Sequence, residues 1–185
     1  MSIVVVVPLA NDVNEDWSGI GPNFKLRAEQ AQAMVETFQL KRDTVYVAQA
    51  AGTLAGYEGK NTLAELGYAY LKTLINPDGW IVNRDEKHVW GTLPEMEYVV
   101  RHAPADCDFV WVSQARHMPR IRLIAKYFLP SDVYGRSRFE VSGQTKEIPL
   151  LREWLSYLLL LGKKFGLGQP IAWARRRCHM DYDRA

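Results

Sequence analysis

Apolar residues come in short runs separated by helical stripes along this chain. Ile3 to Leu9 is an almost unbroken β-branched run. A strand buried on both faces reads that way, whereas a half-exposed strand alternates. Asn11 to Asn23 is polar, with glycines and a proline, and reads as a loop. Phe24, Ala28, Ala31, Val35 and Phe38 then recur at the spacing of one helix face, to about Leu40. Thr44 to Ala48 predicts a second strand, and Gln49 to Lys60 a glycine-bearing loop. Leu63, Leu66, Tyr70 and Leu74 mark a second helix, opened by the Thr62/Glu65 spacing of a capping box. Asn76-Pro-Asp-Gly79 is turn chemistry before a short third strand, Trp80 to Val82.

The alternation continues through a charged loop, Asn83 to Gly91, to a helix carrying Leu93, Met96 and Val100. Phe109 to Val112 predicts a fourth strand. Ile121, Ile124, Ala125 and Phe128 mark a fourth helix, with Pro119 in its first turn. Phe139 to Val141 fits a fifth strand, and Leu150 to about Phe165 a last helix containing Trp154. Strands alternating with helices predict an α/β fold, an open sheet of about five mainly parallel strands with helices on both faces. No internal repeat or linker interrupts it, so residues 1–185 read as a single domain. The tail with Arg175, Arg176 and Arg177 reads as a surface extension.

Composition adds little to that picture. The 185 residues are 48% hydrophobic and 24% charged, which excludes disordered and fibrous classes. Twenty-three basic against 21 acidic residues leaves +2, which makes no case for a nucleic-acid partner. Cys107 and Cys178 lie far apart with no CxxC near either, so neither a disulfide framework nor a zinc site is expected, His179 beside Cys178 notwithstanding. No apolar run reaches the ~20 residues of a bilayer span, so no membrane span is expected and the expected location is cytoplasmic.

Ligands of open α/β sheets sit outside the carboxyl ends of the strands. The loops there carry Asn11 and Asp12, the stretch with Gly52, the charged loop with Asp85, Glu86 and Trp90, and Ser113-Gln-Ala-Arg-His-Met-Pro-Arg120. Neither a dinucleotide Gly-x-Gly-x-x-Gly, nor a Walker loop, nor a nucleophile elbow is present. The last loop carries the strongest signal. Arg116, His117, Arg120 and Arg122 crowd a helix start, where the helix dipole already disfavours cations. A phosphate or carboxylate ligand would offset them; an internal pair with Asp85, Glu86 or Glu95 would do so equally. Thr92 and Glu95 have the spacing of a second capping box, which is a structural role open to both.

The stretch Phe109-Val-Trp-Val-Ser-Gln-Ala-Arg-His-Met-Pro-Arg-Ile-Arg122 resembles the motif of the YdcF-like, SanA and ElyC family. The early helix-one Arg27, the VYVAQAAG segment ending in Gly52, and Trp90-Gly-Thr-Leu-Pro-Glu95 agree in order over about residues 3–145. The chain has Gln49-Ala-Ala-Gly52 where that family shows Ser-Gly-Gly, and Met96 where it shows Asn. The resemblance implies a Rossmann-like domain binding a nucleotide-type ligand, S-adenosylmethionine in one branch, at Arg27, Thr92, Glu95, Ser113, His117 and Arg120. Two functions follow as expectations. One is a binder of a small anionic molecule, with Arg27, Gly52, Thr92, Ser113, Arg116 and Arg120 as ligand-binding residues. The other is a hydrolase or transferase on a phosphorylated substrate, with His117 as acid or base and Glu95 orienting it.

Overall fold

The computed structural model describes residues 1–9, 19–53, 62–89, 91–143, 157, 158, 160 and 162. The chain divides into two compact units, Met1–Lys146 and Glu147–Ala185. Outside the described residues lie Asn11, Asp12, Trp90, Trp154, Cys178, His179 and the Arg175–Arg177 cluster. Of the expected last helix only Tyr157, Leu158, Leu160 and Gly162 are described, and they are helical.

The first unit alternates as its apolar pattern demands: β1 Ile3–Pro8, α1 Pro22–Leu40, β2 Thr44–Gln49, α2 Leu63–Leu71, β3 Gly79–Val82, α3 Thr92–His102, β4 Asp108–Gln114 and α4 Met118–Tyr127. A short α5, Ser131–Gly135, and β5, Ser137–Ser142, complete it. All pairings are parallel, in the order β3-β2-β1-β4-β5. Central β1 is buried from Val4 to Pro8, which explains its continuous rather than alternating sequence. The fold is therefore α/β, a Rossmann-like open parallel sheet with helices.

Parity assigns the two faces. Val4 and Val6 of β1, Val45 and Val47 of β2, and Val110 and Val112 of β4 share one apolar cluster with Phe24, Ala28, Ala31, Val35 and Phe38 of α1 and Leu71 of α2. Right-handed crossovers put α1 and α2 on that face and α3 and α4 on the other. There the buried Phe109 and Trp111 rings stack 5.3 Å apart, and Trp111 Nε1 donates to Ser137 Oγ of β5 at 2.9 Å.

The two capping-box spacings have different geometries. At α2 the box is complete: Thr62 accepts from the Glu65 amide, and the Glu65 carboxylate accepts from the Thr62 amide at 2.7 Å. At α3 the N-cap is Gly91, with φ +85°, a conformation that favours glycine, and no side chain caps the helix. Thr92 falls one residue inside the helix, and its hydroxyl goes elsewhere.

Candidate functional site at the carboxyl ends of the strands

The strand order reverses direction at β1: the chain moves outward through β2 and β3, then returns to β4 on the other side. The crevice between β1 and β4 is thus the topological switch point, the place where open α/β sheets hold ligands. The turn after β4 supplies its best-defined residues. Ser113 sits on β4 at the α3/α4 face, and His117 one turn later is the N-cap residue of α4. Both are buried, at 0% and 2% exposure.

His117 is gripped at both ring nitrogens. Nδ1 lies 2.9 Å from Ser113 Oγ, and Nε2 lies 2.9 Å from Thr92 Oγ1 of α3. Arg120 Nη2 is 2.5 Å from the same Nε2 and 3.4 Å from Thr92 Oγ1. An arginine can only donate, so Nε2 presents its lone pair and the proton sits on Nδ1, donated to Ser113. The electrostatics agree. Burial, then the Arg120 and Arg27 guanidiniums, hold the His117 pKa well below its ordinary 6.5. His117 is a neutral hub among cations.

Arg27 interrupts the apolar stripe of α1, in the second turn from the strand ends, and is nonetheless 3% exposed. Glu95, one turn beyond Thr92 on the same face of α3, is 6% exposed. A cationic residue from α1, a threonine and an acid from α3, and the Ser113–His117–Arg120 run from β4 and α4 therefore gather at one end of the sheet. They straddle it, since α1 lies on one face and α3 and α4 on the other.

The remaining expected residues separate. Arg116 is half-buried in the turn before His117. Arg122 is exposed and lies over the Phe139 ring of β5 at 5.5 Å, so the run of arginines splits within one helical turn. Of the acids offered as internal partners, Glu86 takes a two-pronged grip from Arg101, at 2.7 and 2.8 Å. Gly52 is needed for backbone approach: a Cβ there would lie 2.4 Å from the Lys87 carbonyl oxygen. Its amide donates to Val89 O at 2.8 Å, tying the loop after β2 to the loop after β3.

Three residues escaped the sequence reading. Gln49, Asn83 and Gln114 are buried at 1%, 0% and 2% exposure. They end, or directly follow, β2, β3 and β4. Asn83 donates to Ala50 O at 2.8 Å and Glu86 O at 2.9 Å, and accepts from the Glu86 amide at 2.9 Å, lacing the two loops. The signal was available: each amide closes an apolar strand run at its carboxyl end.

Comparison with protein-family models, curated proteins and solved structures found no match to this chain.

Proposed function

We propose that this protein binds a small anionic or nucleotide-like molecule at the carboxyl ends of its strands, beside β1 and β4. One observation carries the reading: Arg27 and Arg120 bring two guanidiniums to a histidine that is neutral and cannot share their charge. Cations concentrated at the switch point of a parallel sheet, with the uncapped start of α4 alongside, suit a phosphate or carboxylate. Thr92 and Ser113 supply hydroxyls, and Glu95 a carboxylate for a ligand hydroxyl or amine. S-adenosylmethionine, with its carboxylate and ribose, belongs to the same chemical class.

The Ser113–His117 contact supports a second reading, a hydrolase or transferase on a phosphorylated substrate using His117 as acid or base. In the tautomer set by Arg120, however, Nδ1 already carries a proton and cannot accept that of Ser113. Nε2 is held by Arg120 and Thr92. Binding without turnover is the reading the geometry favours.

Thermal melting tests it. AMP and inorganic phosphate at millimolar concentration are expected to raise the melting temperature of the wild-type chain by several degrees, by mass action. The Arg120→Gln variant is expected to lose most of that shift. A flat response to both compounds, or an equal shift in the variant, contradicts the reading.

A further inference from the structure

Gln49 is the last residue of β2, buried to 1% exposure. Its register is fixed by the sheet. Val6 pairs with Val47, so Gln49 is level with Pro8 at the end of β1, and Pro8 pairs with Val112 of β4. It shares the parity of Val45 and Val47 and belongs to the α1 face, the face from which Arg27 approaches. The Gln49 amide nitrogen donates to Pro8 O and to Ala48 O, both at 3.0 Å. Turning the amide over would set its oxygen against two carbonyl oxygens, so the orientation is determined. Nitrogen is used; Oε1 is left buried with no hydrogen-bond partner among the described residues. A buried acceptor in that state is costly, and native structures rarely keep one without a use.

We propose that Gln49 Oε1 accepts a hydrogen bond from the ligand, so that the ligand bears an O–H or N–H donor as well as its negative charge. This rests on reading the strand ends as an anion or nucleotide site. Two strand spacings, roughly 10 Å, separate Gln49 from β4, a distance within the span of one nucleotide. With its nitrogen held by Pro8 and Ala48, the side chain reads donors and rejects acceptors. Two groups of a nucleotide offer such a donor: a ribose hydroxyl, which in dinucleotide folds is taken by an acceptor near the end of the second strand, and an exocyclic base amine.

Calorimetric titration of the wild-type chain with AMP, 2′-deoxy-AMP, 3′-deoxy-AMP and IMP separates them. AMP is expected to bind, and at least one analogue to bind about tenfold more weakly. A loss with a deoxy analogue identifies a ribose hydroxyl; a loss with IMP, whose base carries oxygen in place of the amine, identifies the amine. In Gln49→Met the four affinities are expected to converge, and the wild-type comparison stands even if that variant does not fold. Equal affinity of all four for the wild type overturns the proposal while the anion reading survives. Binding of none overturns it as well, and the response of the melting temperature to inorganic phosphate then decides the anion reading separately.

Discussion

His117 couples protonation to folding, because its burial and its two arginine neighbours disfavour the charged imidazole only in the folded chain. In the unfolded chain it titrates near 6.5. Its folded pKa is depressed, so below about pH 6.5 the unfolded state takes up a proton that the folded state refuses. The stability tied to neutral His117 is therefore fully present above about pH 6.5 and lost progressively as pH falls toward the folded value. The slope it adds approaches about 1.4 kcal/mol per pH unit. Denaturant unfolding of wild type and His117→Gln between pH 5 and 7.5 should give profiles that diverge in slope below pH 6.5. Parallel profiles would mean that His117 is not neutral in the fold.

Residue identity was legible here and residue partnership was not. The crowd of Arg116, His117, Arg120 and Arg122 at a helix start stands out in the sequence. That Arg122 leaves for Phe139 while Arg120 folds back onto His117 depends on which way α4 faces. Thr92 shows the same limit. Its spacing to Glu95 satisfies a capping box, yet glycine takes the cap and the threonine hydroxyl reaches a histidine 25 residues away. Local spacing cannot register a partner that arrives through the tertiary fold.

At the scale of elements, the apolar pattern located all five strands and the first four helices, most plainly where a buried run or face repeats, as in β1, β4 and α1. α5 was missed: at five residues it is too short to show a helical period. The strand-end amides were overlooked because a single polar residue after an apolar run also reads as the start of a loop. Asn83, with Gly52, draws the loops after β2 and β3 together. Gly52→Ala is expected to destabilise the chain by about 1–3 kcal/mol, since its Cβ would meet backbone that cannot move aside independently. Gly135, at the end of α5, has open space around it. Gly135→Ala is therefore expected to be neutral or to stabilise by up to about 1 kcal/mol, through the unfolded chain. Urea unfolding of the two variants checks both signs; a neutral Gly52→Ala would mean that the two loops are not held together at this point.

For the whole molecule, alternation of strands and helices established a parallel sheet but not the order of its strands. Order matters most for function, since β3-β2-β1-β4-β5 is what creates a crevice beside β1. With the order known, the basic loop after β4, the buried Arg27 of α1 and the Thr92–Glu95 face of α3 become one place. No helix among the described residues is long and apolar enough to cross a membrane. The chain's near-neutral total charge of +2 conceals this local gathering of cations, which is a property of topology and not of composition.

Side-chain nitrogen NMR of His117 tests the central claim most directly, with His88 and His102 of the same unit for comparison. His117 is expected to show the neutral Nδ1–H form unchanged from pH 8 to 6. On addition of AMP its resonances should shift more than those of His88 and His102. A His117 that titrates near 6.5, or one that does not respond to AMP while the protein binds it, would contradict the account.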